Sequence, residues 1–594
     1  MGSASTDVRS YYESRESHFR KEALRLESSI KRSSLLRLIL FVILLAALYF
    51  FWGRLYILIP TLITGVALYT LLVIRHEKLK KQSDLSNEML RINKRELQVL
   101  SRDFSGLSRG DQYRDDSHYY SHDIDLFGTG SLFQYVSRTS TSSGSDLLAR
   151  WMKANDCKEI GSKQEMIDEL GSKANWRQEF EAKANLIDNR ESHEQILGWF
   201  DSYLPFVPRH MKYIPGLFGL VSFALVIGVA VQLVSFHLLT LWFFLGLGLS
   251  FFYFKRVNQL YEKASEAKNT FSQYQNLLSM IESETFSSAL LSSKKKGIES
   301  DHVPASELFR DFSQILHAFD HRNNMLFGVL GNGLLLWDLK QCYRIETWIF
   351  KNKDLASRSF DAIAHFDACS SLSNYRFNHP QQVFPEITLE NGIIRAESLG
   401  HPLIDPKTRV DNDFSIEQGE FVIVTGANMA GKSTFLRALS LSIVMANMGL
   451  PVCARSYRYS PIKLITSMRT ADSLAEESSY FYAEIKRLEF IVQKIENEKY
   501  FIVLDEILKG TNSKDKAEGS RRFLKKLVNS GSSGLIATHD LSLCEIEKEH
   551  PHQIHNMHFD VEIRGNDLEF DYLLKPGICN NMNASFLLRK MNLI

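Results

Sequence analysis

The 594-residue chain has almost no net charge: 70 Lys and Arg stand against 69 Asp and Glu, leaving +1. No global basic field advertises a nucleic-acid partner, although a local patch remains compatible with one. Cysteine is scarce and scattered. The six residues, at 157, 342, 369, 453, 544 and 579, form no C-x-x-C pair. That argues against a zinc site or a disulfide framework and fits a reducing compartment, with each thiol a small buried apolar group. No internal repeat is apparent, which argues against a solenoid or propeller. The first apolar run starts too late, behind a long charged segment, to be expected as a secretory leader.

Long hydrophobic runs are abundant. Leu38–Trp52 and Leu55–Ile74 are separated only by Gly53 and Arg54, and Ile214–Val234 and Leu238–Phe254 flank Ser235-Phe236-His237. A bilayer crossing needs roughly 20 residues, and bulky Leu, Ile, Phe and Val occupy all sides of these runs. The sequence therefore predicts two transmembrane hairpins, four spans in all. Lys31, Arg32 and Arg37 flank the first run, and Arg75, Lys78, Lys80 and Lys81 follow the second. Arg209 and Lys212 precede the third, Lys255 and Arg256 follow the fourth, and the tips carry only Arg54. By the positive-inside rule both hairpins enter from the cytoplasm and return, which leaves the N-terminus, core and C-terminal domain cytoplasmic.

One stretch carries chemistry on its face. Gly426-Ala427-Asn428-Met429-Ala430-Gly431-Lys432-Ser433 fits G-x-x-x-x-G-K-S and is followed by Thr434. The apolar run Phe421–Val424 precedes it and the helix-forming Phe435–Leu439 follows, which is the strand, loop and helix of a P-loop. Backbone N–H groups and the helix N-terminus would cradle phosphates. Lys432 would reach the β- and γ-phosphates, and the Ser433 hydroxyl would join a Mg²⁺ shell. Tyr500–Leu504 is a second apolar strand, ending in Asp505 and Glu506. Asp505 is expected to hold Mg²⁺, and Glu506 to polarise the attacking water. A third strand, Gly534–Ala537, leads through Thr538 to His539, placed to sense the γ-phosphate or steady the water. Between them Glu476–Glu484 begins a helix. A serine there is first of all a helix cap, and becomes functional only if that helix end points at another subunit's nucleotide.

These motifs closely resemble those of the MutS family, the ABC-superfamily ATPases of DNA mismatch repair and their relatives. "GANMAGKST" is similar to that family's "GPNMGGKST", and "VLDEILKGTNSKD" to its Walker B segment with "DEIGRGTST". "ESSYFYAEI" resembles its signature helix "STFMVEM", which places the trans-acting serine at Ser479. "ATHD" matches "ATHY", and Leu399-Gly400-His401-Pro402 resembles the "GRHP" that opens the domain. Upstream, "DLFGTGSLFQYVSRTSTSSGSDLLARWM" looks like the start of the family's helical core, and "FDAIAHFDACSSLSNY" like the end of its lever region.

The apolar runs and the resemblance together imply a fold, and the resemblance a cofactor and partners. The fold expected is multidomain: helical transmembrane hairpins, an all-α core and lever, and an α/β P-loop ATPase domain. The boundaries expected are 1–34 (N-terminal helix), 35–75 (first hairpin), 76–118 (linker helix) and 119–212 (core). They continue with 213–254 (second hairpin), 255–385 (core and lever) and 386–594 (ATPase). ATP with Mg²⁺ is the implied ligand. A homodimer through the ATPase domains is the implied assembly, each lending Ser479 to the other's nucleotide and moving long helices as ATP turns over.

The departures are specific. Ala427 and Ala430 replace Pro and Gly, and Leu508 and Lys509 replace Gly-Arg. The aromatic expected against adenine appears as Arg409, whose guanidinium stacks on a base by other means. No mismatch-reading head with a Phe-x-Glu wedge, no β-rich clamp and no extended C-terminal dimerisation helices are visible. Two readings stay open. In one, a membrane-anchored MutS-like ATPase engages DNA, with Lys294–Lys296 meeting phosphates. In the other, a nucleotide-driven membrane machine or scaffold does not bind DNA, and the basic residues serve topology or contact lipid. A transporter is disfavoured, since there is no LSGGQ-type signature and no intramembrane charge cluster.

Overall fold

A computed structural model describes residues 2–187, 193–299, 303–389, 392–469, 480–509, 511–564 and 567–579. Two helices of exceptional length open it, α1 (Gly2–Phe50) and α2 (Leu55–Leu100). They fold back on each other through a turn where Gly53 takes φ 94°. At about 1.5 Å per residue each is roughly 70 Å long. Each contains a stretch long and apolar enough to cross a membrane, and little of that stretch is buried. The N-terminal helix and the first apolar run expected separately form one continuous rod, and the linker helix expected after the second run ends at Leu100.

The polar ends of this pair grip the helical core. Ser83, Ser86, Met89, Ile92, Asn93, Glu96 and Val99 of α2 are buried. Their spacing of three to four residues puts them on one stripe. The core itself includes α3 (Ser142–Lys153), α4 (Ile160–Ser172) and α5 (Ala174–Asn185). Met89 and Ile92 pack on Ala182 of α5. At the centre of the grip lies Glu96. Its carboxylate accepts from Arg138 Nε at 2.6 Å, Arg95 Nη2 at 2.7 Å, Asn378 Nδ2 at 3.0 Å and Asn374 Nδ2 at 3.1 Å. From α1, the Tyr12 hydroxyl donates to Asn378 Oδ1 at 2.7 Å. Burial opposes the charge on Glu96, but the two guanidinium groups win and hold its carboxyl well below the usual range. Just beyond α2, Arg102 donates to the Leu403 carbonyl of the C-terminal domain.

The second apolar region is built differently from the pair of spans that hydropathy suggests. Its helices α6 (Ile214–Ala230) and α7 (Phe236–Phe252) have 17 residues each. Each is about 25 Å long, short of the roughly 30 Å hydrocarbon layer. At Tyr253 the chain bends by 65° into α8 (Phe254–Ser283). After α9 (Ala305–Asp320) comes a third apolar helix that the sequence reading does not anticipate, α10 (Met325–Leu335). It packs on α6 and α7. So two helices of spanning length are present among the described residues, or three if the bent α7–α8 pair counts as one span, and the other apolar helices are shorter.

From α10 the chain passes Leu336 (φ 49°) into α11 (Trp337–Asn378), a 42-residue lever that is almost entirely buried from Leu355 to Tyr375. An aromatic cluster fills one flank, with Phe312 stacked on Trp348 at 4.0 Å and Phe271 4.7 Å from both Phe309 and Phe312. On the other flank the Asp367 carboxylate accepts from Thr141 Oγ1 at 2.7 Å and from the N–H groups of Thr141 and Ser140. Burial raises the Asp367 pKa to about 6 in spite of those donors. Thr141 in turn caps α3, accepting from Gly144 N at 3.0 Å. Only glycine fits at 144, because a Cβ there would stand 2.3 Å from Asp367 Oδ2.

The C-terminal domain carries two main sheets. Its strands in chain order are β1 (Glu386–Ile387), β2 (Gly392–Leu399), β3 (Asn412–Glu417), β4 (Phe421–Gly426), β5 (Ser456–Tyr459) and β6 (Lys463–Ser467). They continue with β7 (Tyr500–Asp505), β8 (Ser533–Ala537), β9 (Ile554–Phe559), β10 (Glu562–Arg564), β11 (Asp567–Glu569) and β12 (Leu574–Pro576). The six-stranded sheet has the order β12-β9-β4-β8-β7-β6, parallel except for β12. Every residue of β4 is buried. Coverage on both faces explains why the central strands are continuous apolar runs rather than alternating ones. Helices α12 (Lys432–Asn447), α13 (Tyr480–Ile495) and α14 (Ser513–Asn529) belong to this domain. Parallel pairing delivers β4, β8 and β7 to one edge of the sheet together, with Val424 opposite Ala537 and Ala537 opposite Asp505.

Candidate nucleotide site

At that edge β4 turns into an open loop. Gly426 takes φ 150°, and a Cβ there would meet the Phe559 carbonyl at 2.8 Å. Gly431 takes φ 104° and caps α12, so the loop's backbone N–H groups and the helix N-terminus face the same space. Ala427, Asn428, Met429 and Ala430 form the loop between them, with Met429 also left-handed at φ 67°. Lys432 folds back over the loop. Its Nζ donates to the carbonyls of Gly426 at 2.7 Å and Ala427 at 2.9 Å, and lies 3.3 Å from His539 Nε2. Burial lowers the Lys432 pKa, against the pull of Asp505 and Glu506.

Ser433 Oγ donates to Asp505 Oδ2 at 2.6 Å. A hydroxyl and a carboxylate at that separation are hard oxygen donors on one side of the loop. They suit Mg²⁺, which takes few protein ligands and shares the rest of its shell among waters and phosphates. Thr434 follows in the first turn of α12 and lines the cavity beyond.

Glu506 sits one residue past β7 in a left-handed conformation, φ 51°. Such a backbone costs about 1–3 kcal/mol in a non-glycine residue. It is held there by its own N–H, which donates to Ala537 O of β8 at 2.9 Å. The carboxylate stands 3.1 Å from His539 Nε2 and 3.6 Å from Lys509 Nζ. Burial, then the Lys432 ammonium, lowers the His539 pKa; Glu506 and Asp505 oppose them. Lys432, Ser433, Asp505, Glu506 and His539 are thus brought into one cluster. Ser479 lies outside the described residues.

Three further groups were not singled out by the sequence. Glu484, in the first turns of α13, accepts from Leu508 N at 2.6 Å and Lys509 N at 2.9 Å, and burial raises its carboxyl pKa. Tyr572 lies beside the phosphate loop, 3.1 Å from where a Gly431 Cβ would stand. It lines a cavity of about 460 Å³ with His401, Thr408, Arg409, Met429 and Phe435. Asn412 fixes that corner, donating to Tyr572 O and accepting from Leu574 N. Arg409 reaches the cavity too, with its Nε 2.5 Å from Asp411 Oδ1 and Nη2 3.2 Å from Oδ2. Third, Asp123 of the core accepts from Thr466 Oγ1, Met468 N and Arg469 N, while Arg469 pairs with Asp125 at 2.6 and 3.0 Å. The core therefore holds the end of β6. No contiguous signal marks any of the three, because each pairs residues far apart in the chain.

Residues 422–589 match the family model described as MutS domain V. The chain is 31% identical over 237 residues to the DNA mismatch repair protein MutS of Thermotoga maritima, covering 39% of this chain and 29% of that protein. It is 29% identical over 257 residues to human MutS protein homolog 4, covering 41% and 26%. It is 31% identical over 214 residues to the Arabidopsis thaliana DNA mismatch repair protein MSH4, covering 35% and 26%. The match spans less than a third of the length of each of these relatives. The domain that carries this loop, these carboxylates and this histidine is a MutS domain V.

Proposed function

We propose that the protein is a membrane-anchored ATPase that binds and hydrolyses Mg²⁺·ATP as a dimer. The observation that carries the proposal is the convergence of Lys432, Ser433, Asp505, Glu506 and His539 at the carboxyl ends of β4, β7 and β8. On this reading Lys432 exchanges the two loop carbonyls for phosphate oxygens. The loop N–H groups from Gly426 to Thr434 hold the remaining phosphate charge. Bound Mg²⁺ would neutralise charge on the β- and γ-phosphates, with Ser433 and Asp505 as its protein ligands. Glu506 accepts a proton from the attacking water, and His539 fixes the Glu506 carboxylate and faces the γ-phosphate. The base enters the cavity between Arg409 and Tyr572. Ser479 acts across the dimer, as the MutS resemblance implies.

The proposed anchor is α1 and α2. Nineteen large apolar side chains between Leu35 and Ile74 are exposed. At about 1.5–3 kcal/mol each, keeping them in water would cost tens of kcal/mol, against a net stability of about 5–15 kcal/mol for a domain. Lipid removes that cost. The α6–α7 pair, each helix too short to cross the hydrocarbon layer alone, inserts from the same side as a shallower hairpin, and the core and ATPase domain stay cytoplasmic. Nucleotide-driven movement would pass from the ATPase domain to the lever α11 through the contacts of Asp123 and Arg102.

DNA binding, to mismatched or branched DNA, is what the family resemblance implies. The membrane anchor favours a second reading, a nucleotide-driven membrane scaffold that does not bind DNA. The decisive experiment measures ATP turnover and DNA affinity of the full chain in detergent across a salt series. Mg²⁺-dependent turnover lost in Lys432→Ala supports the ATPase, and its absence sinks it. Affinity that falls linearly on a log–log salt plot selects the DNA reading; none above background at low salt selects the scaffold.

A further inference from the structure

The helix α10 has the sequence MLFGVLGNGLL, without a charged residue. Met325, Leu326 and Leu330 are 83%, 75% and 53% exposed. Its other face is pressed tightly onto α6 and α7. Ser222 Oγ of α6 donates to Leu334 O at 2.7 Å and accepts from Trp242 Nε1 of α7 at 2.9 Å. A Cβ on Gly246 of α7 would stand 2.5 Å from the Gly333 carbonyl, so the two backbones touch through glycine. Small-residue contact of this kind is how helices associate where no hydrophobic drive separates them from their solvent, as in lipid. The one polar side chain of α10, Asn332, is satisfied locally. Its Nδ2 donates to Gly328 O at 2.9 Å and its Oδ1 accepts from Asp338 N at 2.9 Å. Internal satisfaction is what a hydrocarbon environment demands.

The segments that flank α10 are tied together. Arg322, just before it, pairs through Nε with Asp338 Oδ2, just after it, at 3.1 Å. Arg322 Nη2 also donates to Asn258 Oδ1 at 2.7 Å, at the start of α8 where the chain leaves α7. Trp337 Nε1 donates to Ala318 O at 2.9 Å. The base of α10 is therefore pinned beside the basic end of the α7–α8 junction, where Lys255 and Arg256 stand and Lys340 follows. An 11-residue helix is about 16 Å long, half of the hydrocarbon layer.

We propose that α10 is embedded in lipid: it lies in the cytoplasmic leaflet beside α6 and α7, with the exposed Lys255, Arg256 and Lys340 as a collar for anionic headgroups. This rests on the proposed insertion of α6 and α7. Because only Leu336 separates α10 from α11, the lever begins at the membrane surface. The partner is the acyl chain region of a membrane, argued from continuity with the apolar surface of α6 and α7 and from the sign of the collar.

The test places one fluorescent probe per protein in the full chain, reconstituted in nanodiscs of phosphatidylcholine and phosphatidylglycerol. Leu326→Cys reports on α10, Leu241→Cys on α7 and Phe350→Cys on the water-facing side of α11, each in a Cys157→Ser background. Nitroxide-bearing lipid and aqueous iodide serve as quenchers. The expected result is loss of most of the emission at 326 and 241 to the lipid nitroxide, with only 350 open to iodide. Quenching of 326 by iodide while 241 answers to lipid overturns the proposal and leaves the membrane reading of α7 intact. Iodide quenching of both overturns both. Shielding of 326 from both quenchers means that protein covers α10, which also overturns the proposal. Leu330→Cys gives an independent reading from the same helix if Leu326→Cys does not fold.

Discussion

The Glu484 carboxylate accepts the Leu508 backbone N–H at 2.6 Å. Leu508, at φ 59°, follows closely on the strained Glu506, so a side chain of α13 holds the loop that shapes the proposed general base. Glu484→Ala leaves the N–H groups of Leu508 and Lys509 without their acceptor, a local cost of about 1–3 kcal/mol. Turnover is expected to fall about 10- to 100-fold through misplacement of Glu506, with ATP affinity retained. Titration with a fluorescent nucleotide beside steady-state kinetics separates the two, and an unchanged kcat would cut Glu484 out of the site.

Glu506→Gln keeps the shape of the side chain and removes its basicity. The expected loss in kcat is about 10²–10⁴-fold, with Mg²⁺·ATP still bound. Single-turnover measurements on the saturated protein check this. A variant that turns over at the parent rate assigns the base elsewhere.

The pH dependence has a definite sign. Burial and Lys432 hold His539 below its ordinary value, so the imidazole is neutral at pH 7 and charges only as pH falls further. Turnover should stay level from neutral pH upward and decline on the acid side below about pH 6.5, the unperturbed histidine value. An acid limb centred above that value in the parent protein would contradict the assignment, as would one that persists unchanged in His539→Ala.

Glu96 is the buried hub that ties α1 and α2 to the lever. Glu96→Gln leaves the Arg138 and Arg95 guanidinium groups facing a neutral amide, and removing one partner of a buried ion pair costs about 3–5 kcal/mol. The stabilisation from a depressed carboxyl is present above its unfolded pKa and is lost as pH falls through the folded one. Thermal unfolding of the detergent-solubilised protein should show a lower midpoint for Glu96→Gln near neutral pH, with the difference shrinking in strong acid. Equal midpoints at pH 7 would show that Glu96 does not carry the junction.

The parts of this protein that were legible in its sequence are those whose chemistry demands neighbours in the chain. A phosphate loop needs Gly426, Gly431, Lys432 and Ser433 at fixed offsets, and an apolar strand must deliver Asp505 and Glu506 together. Glu96, Asp367 and Glu484 work instead through partners that only the fold brings near, so no spacing announces them. Tyr572 follows the short β10–β11 hairpin, where local pattern says little. Hydropathy also counts composition and not where a helix breaks. It joins residues across the 65° bend at Tyr253 and lengthens α6 and α7, while α10, interrupted by Gly328, Gly331, Asn332 and Gly333, falls below any span-length window.

Arg102 closes a mechanical circuit with the Leu403 carbonyl. Leu403 lies in the loop whose His401, Ile404 and Arg409 line the proposed base cavity. One unbroken helix, α2, therefore runs from an apolar stretch near its start to the doorstep of the nucleotide. A rod cannot tilt at one end and stay still at the other. In thin bilayers a long apolar stretch accommodates by tilting, and in thick ones it stands upright. Bilayer thickness becomes an input to this protein, readable as a shift in nucleotide affinity between nanodiscs of short-chain and long-chain lipid, and lost when Arg102→Ala uncouples the rod from its loop.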